Sequence, residues 1–213
     1  MENTMTGIVD YNAGNIKSVE RALAFLNAPY VLSKNPKDLE KCDRIVFPGV
    51  GEAKYAMEQL SATGFDGFLK DWAAAGKPLL GICLGSQIIF EHSEEGDVDC
   101  LGILKGEIRH FSSVWKKPDL LKIPEMGWND LSYMNGGSPL LDGVPEHSDF
   151  YFVHSYLIQP TDSSIIKAAV DYGCLVPACV SSGSVTAFQF HPEKSGKWGL
   201  KILENFVKGD LNA

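Results

Sequence analysis

The run Pro78-Leu79-Leu80-Gly81-Ile82-Cys83-Leu84-Gly85-Ser86-Gln87-Ile88-Ile89-Phe90 constrains the fold more than any other part of the chain. A short apolar strand meets a Gly-x-Cys-x-Gly turn and passes straight into a helical apolar pattern. A strand that stops so abruptly pushes one side chain out at the tip of a sheet. Glycines at 81 and 85 remove the Cβ atoms that would collide in the bend. The result is a nucleophile elbow with cysteine in the place of serine. A helix starting at Leu84 also aims its free N–H groups at the sulfur, which favours negative charge there.

Such an elbow needs a sheet whose strands end at one edge, and the rest of the chain supplies one. Short apolar strands at 6–10, 30–32 and 44–47 alternate with helical patterns. In the first helix Ile16, Val19, Leu23 and Leu26 recur at near-helical spacing up to the breaker Asn27-Ala28-Pro29; further helices are expected over 53–60 and 65–75. This alternation predicts an α/β fold with a central, mostly parallel sheet covered by helices on both faces. From about Leu101 the texture changes: strands at 106–111 and 149–154 are separated by long loops rich in Pro, Gly and Asn, so an additional antiparallel region is expected. A strand over 185–190, broken by His191-Pro192-Glu193, and a helix over 200–207 close the chain. No repeat, low-complexity segment or linker divides the 213 residues, which predicts a single domain over 1–213.

Composition excludes several classes of function. With 19 basic against 27 acidic residues the net charge is −8, and no basic cluster is dense enough to track a phosphate backbone, so no nucleic-acid partner is expected. No apolar run approaches the roughly 20 residues of a membrane span, and Met1-Glu2-Asn3-Thr4-Met5-Thr6 lacks the basic and apolar regions of a signal peptide. A soluble, cytoplasmic protein without a membrane partner follows as the expectation. Five cysteines, Cys42, Cys83, Cys100, Cys174 and Cys179, are scattered without a Cys-x-x-Cys pair, which argues against both a disulfide framework and a zinc site. Only Cys83 has a local reason to be reactive.

A reactive cysteine needs a base for its proton and a third group that holds the base in one orientation. His191 and Glu193 directly follow an expected strand, so both emerge at the sheet edge where the elbow emerges, the edge at which ligands gather in α/β sheets. Pro192 between them stiffens their relative placement. A cysteine at a strand–helix junction, a histidine after a strand or a glutamate near a helix start is, taken singly, most often packing or a solvated charge. The coincidence of all three with the glycines around Cys83 favours catalysis. Pro48-Gly49-Val50-Gly51 is a second backbone device: it can present the Val50 N–H toward an oxyanion, with the Leu84 N–H as the other donor. An ordinary strand-ending turn fits those four residues equally well.

Gly81-Ile82-Cys83-Leu84-Gly85-Ser86-Gln87 together with Phe190-His191-Pro192-Glu193 resembles the class I, Cys-His-Glu glutamine amidotransferases, which have a flavodoxin-like fold. More narrowly, Asp10-Tyr11-Asn12-Ala13-Gly14-Asn15, Phe47-Pro48-Gly49-Val50-Gly51, Met126-Gly127-Trp128-Asn129, Tyr151-Phe152-Val153-His154-Ser155-Tyr156 and His191-Pro192-Glu193-Lys194-Ser195-Gly196 are similar to the glutaminase subunits of imidazole glycerol phosphate synthases. The resemblance runs nearly end to end and implies a glutaminase that needs no cofactor and no metal. By it, Cys83 attacks the carboxamide of L-glutamine, Val50 and Leu84 form the oxyanion hole, His191 moves protons and Glu193 orients it. Gln87 would hydrogen-bond the substrate, and Gly51, Ser155 and Tyr156 would hold its amino and carboxylate ends. The ammonia would pass to a barrel-fold cyclase subunit in a heterodimer that makes imidazole glycerol phosphate and AICAR in histidine biosynthesis. Asn12, Asn15, Trp128 and Asn129 match positions near that interface, although a core role for Trp128 fits the sequence nearly as well. Low activity without the partner is implied, with the Pro-Gly-Val-Gly turn as the gate.

Two features depart from the family pattern. Ser86 stands where many relatives carry Met, from which altered packing is expected, and the loop 112–122, which contains Trp115, is long. A paralogue supplying ammonia to another acceptor, such as a surface-sugar amidation pathway, shares all of this chemistry. A non-catalytic regulatory module would not require Cys83, His191 and Glu193 together. A cysteine protease or deglycase would not need Gln87 or the Pro-Gly-Val-Gly turn.

Overall fold

Side chains along the central strands alternate between two cores. Ile8, Val46, Leu80 and Ile82 face one, and Val9, Ile45, Phe47 and Leu79 face the other, the period of two that strands buried on both sides require. The computed structural model describes residues 4–12, 16–115 and 121–209. Its first part runs β1 (Thr6–Val9), α1 (Ile16–Phe25), β2 (Tyr30–Ser33), α2 (Pro36–Leu39), β3 (Arg44–Gly49), α3 (Ala53–Thr63), α4 (Phe65–Ala74), β4 (Leu79–Cys83) and α5 (Leu84–Ile88). The middle holds β5 (His92–Ser93), β6 (Val98–Asp99), β7 (Gly106–His110), α6 (Phe111–Val114), β8 (Glu125–Asp130), β9 (Ser132–Tyr133), β10 (Asp149–His154) and β11 (Tyr156–Pro160). The chain closes with β12 (Ile166–Asp171), β13 (Leu175–Ser182), β14 (Val185–Phe188) and α7 (Gly196–Lys208).

The main sheet has the order β2-β1-β3-β4-β14-β13-β12-β9. Pairing is parallel from β2 to β14 and antiparallel beyond it. Helices α1 and α7 cover one face through Val19, Leu23, Ile202 and Phe206. Helices α3, α4 and α5 cover the other through Ala56, Leu60, Leu69 and Ile88. The expected antiparallel region is present, but three of its strands extend the main sheet; its others form two small sheets, β10-β8 and β11-β7-β5-β6, the second completed by β5 and β6 from before Leu101, with β5 parallel to β7. No helix among the described residues is long and apolar enough to cross a membrane.

Register places the site. Gly49 at the end of β3 lies opposite Cys83 at the end of β4, and Phe188 at the end of β14 lies opposite Ile82. The turn at 49–51, the elbow and His191 therefore leave the sheet at one carboxyl edge. β3 runs two residues past the expected strand because Pro48 and Gly49 stay in register with Ile82 and Cys83, although Pro48 has no N–H to give the ladder. The helix after the elbow ends at Ile88 and β14 at Phe188, both two residues before the apolar runs in the sequence stop.

Candidate active site

Cys83 ends β4 and caps α5 with φ +54° and ψ −112°, a backbone conformation that a residue with a side chain adopts only when its surroundings force it. The surroundings are two glycines. A Cβ at Gly85 would stand 2.1 Å from the Phe47 carbonyl oxygen, and one at Gly81 would stand 3.0 Å from that of Gly85. Both are needed for close approach of backbone to backbone rather than for unusual dihedrals. Ser86 contributes more than the altered packing expected of it: its hydroxyl is buried and donates to the Cys83 carbonyl at 2.6 Å, bracing the elbow from behind.

His191 reaches the same edge through a backbone tied on two sides. Its N–H donates to the Tyr151 carbonyl at 3.0 Å, and its carbonyl accepts the Ser195 hydroxyl at 2.6 Å. The turn that follows is seated on α7, where a Cβ at Gly199 would stand 1.9 Å from the Pro192 oxygen. His191 Nδ1 lies 2.8 Å from Glu193 Oε1, with both side chains almost wholly buried. That contact fixes one ring proton on Nδ1 and leaves Nε2, buried and without a hydrogen bond among the described residues, to exchange its proton at the cysteine. Burial pushes the imidazole down, but the Cys83 sulfur and the Glu193 carboxylate together outweigh it and hold the ring at about 9. Among the other thiols, burial raises Cys42, Cys174 and Cys179, and pushes Cys100 up to about 12.

A cleft of about 310 Å³ opens over Cys83 and His191 and is lined by Val50, Gly51, Leu84, Gln87, Ser155 and Tyr156. The structure thus gathers around one cavity the residues that the sequence placed at the site, with Glu193 behind the histidine. The Gln87 amide nitrogen donates to the Tyr156 carbonyl at 2.9 Å and to Gln189 Oε1 at 2.8 Å, so it already ties the elbow helix to the opposite wall. Glu95 and Lys194 also line the cleft and were not singled out from sequence. Lys194 could have been, since it directly follows His191-Pro192-Glu193. Glu95 gives no local signal: its place is fixed by the Ala53 N–H, which its carboxylate accepts at 2.9 Å. Burial raises its pKa, the Ala53 N–H opposes the shift and the Glu52 charge adds to it.

A strained cysteine, a buried histidine–glutamate pair and backbone N–H groups around one cleft suit attack on a carbonyl carbon. The family model described as glutamine amidotransferase class-I matches residues 7–209. The imidazole glycerol phosphate synthase subunit HisH of Geobacillus kaustophilus (strain HTA426) is 46% identical over 204 residues, covering 95% of this chain and 96% of that protein. The chain belongs to the HisH family of class-I glutamine amidotransferases. The HisH subunit of Dehalococcoides mccartyi (strain ATCC BAA-2266 / KCTC 15142 / 195) is 43% identical, with 96% and 97% of the two chains covered. Among solved structures, PurLQS from Thermotoga maritima (TM-score 0.70, 21% identity, 96% of this chain and 98% of that one) has the same fold. So does a glutamine amidotransferase with TM-score 0.73, 18% identity and coverage of 95% and 97%.

The four residues matched to a HisH partner face lie in different settings. Asn12 is exposed with φ +66°, and its side chain bonds Gln59 and Lys34 at 3.3 and 2.7 Å. Asn15 lies outside the described residues. Trp128 is 58% exposed, which removes the core role that the sequence left open; its ring stands 6.0 Å from that of Tyr151, which in turn lies 6.4 Å from His191. Asn129 points to the other side of β8, where its amide donates to Glu125 Oε1 at 2.9 Å. Of the long loop 112–122, Trp115 is buried against Phe111, and its indole N–H donates to the Tyr172 carbonyl at 3.0 Å.

Beside Ser155 and Tyr156 in the wall of this HisH-family site, His154 belongs to a second buried pair. His154 Nδ1 donates to the Tyr156 carbonyl at 2.7 Å and Nε2 lies 3.0 Å from Glu125 Oε2, both side chains being 3% exposed. Removing one member strands the other without water. His154→Ala is therefore expected to destabilise the fold by about 3–5 kcal/mol, measured as a lower denaturant midpoint. An unchanged midpoint would show that the wall holds itself.

Proposed function

We propose that this chain hydrolyses L-glutamine to glutamate and ammonia through a Cys83 thioester and delivers the ammonia to a barrel-fold cyclase subunit. That partner makes imidazole glycerol phosphate and AICAR in histidine biosynthesis. What carries the reading is the cysteine elbow facing a buried His191–Glu193 pair in a chain 46% identical to an imidazole glycerol phosphate synthase subunit.

The Cys83 sulfur attacks the side-chain carboxamide carbon, and the Val50 and Leu84 N–H groups hold the oxyanion that forms. His191 Nε2 gives its proton to the departing nitrogen, the C–N bond breaks and ammonia leaves a glutamyl thioester. His191 then takes a proton from water, whose oxygen displaces the sulfur and releases glutamate. Glu193 holds the imidazolium in place throughout. Gln87 contacts the substrate, while Gly51, Ser155 and Tyr156 hold its amino and carboxylate ends. The Glu95 carboxylate in the cleft wall suits the substrate ammonium. Asn12, Asn15, Trp128 and Asn129 belong to the face that meets the cyclase, and the protein works as one domain in the cytoplasm.

Glutamate release is expected to rise about 10–100-fold when the cyclase and its phosphoribulosyl ligand are both added, with imidazole glycerol phosphate formed from glutamine in the mixture. Full speed in the isolated chain would refute gating by the partner. Hydrolysis without imidazole glycerol phosphate would point to another acceptor, such as a surface sugar.

A further inference from the structure

Tyr11, two residues past the end of β1, is wholly buried with its ring 5.4 Å from that of Phe47. Among the described residues its hydroxyl oxygen is buried and has no hydrogen-bond partner. A phenylalanine would fill the same space without stranding a polar atom, so an unused hydroxyl here is a liability. The hydroxyl stands beside the turn that carries Val50: a Cβ on Gly49 would lie 2.6 Å from Tyr11 Oη and 2.7 Å from the Gly85 nitrogen. Gly49 does not have a left-handed backbone. Its glycine is explained instead by these close approaches, which leave the hydroxyl open access to the backbone of residue 49. Burial raises the Tyr11 phenol far above its ordinary range and Cys83 adds to the shift, so the group stays a neutral O–H donor.

β3, which ends at Gly49, lies between β1, which leads into Tyr11, and β4, which ends at Cys83, and the N–H and C=O groups of a strand point within the sheet toward such neighbours. A trans peptide carries its C=O opposite its N–H. Turning the Val50 N–H toward an oxyanion at Cys83 therefore turns the Gly49 carbonyl toward the side where the Tyr11 hydroxyl stands. We propose that Tyr11 is a positioning residue for the oxyanion turn, donating its hydroxyl proton to the Gly49 carbonyl when the Gly49–Val50 peptide presents its N–H to the reacting carbonyl oxygen. This rests on the glutaminase reading above. It gives the unpaired hydroxyl a partner that exists only in the active arrangement, which lowers the energy of that arrangement relative to the resting one.

Tyr11→Phe in the full chain, assayed with the cyclase and its ligand, tests it. The variant is expected to lose about tenfold in kcat, with glutamine KM within about twofold of native, as removal of one transition-state-linked hydrogen bond predicts. Its thermal midpoint should equal or exceed the native one, because no resting-state bond is lost. Alkylation of Cys83 by iodoacetamide should proceed at the native rate. A native kcat would overturn the proposal, and so would a kcat loss matched by slower alkylation, which places the effect on the sulfur. A lower midpoint would also overturn it, by revealing a resting-state partner. These outcomes concern the variant alone, whereas absence of glutamine hydrolysis in the native chain would bring down the parent reading with it.

Discussion

Replacing Cys83 by alanine is expected to lower glutamate release by about 10⁶-fold, the loss seen when a nucleophile that works as one unit with its base is deleted. No other thiol can stand in: Cys42, Cys100 and Cys179 are buried and held in the protonated form by that burial, and the half-buried Cys174 is raised as well. Alanine keeps a Cβ and fills the elbow, so the fold and the face proposed to meet the cyclase should be unaffected; Cys83 is itself only 8% exposed. Glutamate production and cyclase binding measured on one preparation separate the two effects. Hydrolysis persisting within about a hundredfold of native would place the nucleophile elsewhere.

The elbow was legible because its physics is local. Gly81 and Gly85 flank Cys83 in sequence, and the collisions they prevent are with Phe47 and with each other. His191 and Glu193 were legible for a similar reason, since the pair spans three residues and follows a strand. Glu95 and His154 were not, because each is placed by partners from distant segments: Ala53 is 42 residues from Glu95, and Glu125 is 29 from His154. Strands β12 and β13 escaped because both sheet faces bury them, which erases the alternation that marks a strand. In β8 the binary pattern is inverted, with Glu125 buried while Met126 and Trp128 stand 65% and 58% exposed. That is why the sequence left a core role open for Trp128 beside the interface role. The inversion is resolved by the His154 bond that Glu125 makes inside and by the Tyr151 ring that Trp128 meets outside.

Glu193→Gln is expected to lower kcat by about 10⁴-fold near neutral pH and to change the shape of the pH profile. The amide can still accept the Nδ1–H, but it removes the negative charge that shares with Cys83 the task of holding the ring protonated against its burial. Imidazolium is the form that protonates the departing nitrogen so that it leaves as ammonia. With the ring at about 9, native kcat/KM should fall only as pH rises through that value, whereas in the variant the alkaline limb should shift downward, toward the ordinary imidazole value of 6.5. Stability follows with a defined sign. The folded pKa lies above the unfolded one, so the stabilisation from this proton is complete below about pH 6.5 and disappears as pH rises through about 9. The gap between native and Glu193→Gln thermal midpoints should therefore be widest in mild acid and narrow above pH 9. An alkaline limb that stays in place in the variant would mean that Cys83 alone holds the proton and that Glu193 serves only to shape the pocket behind the ring.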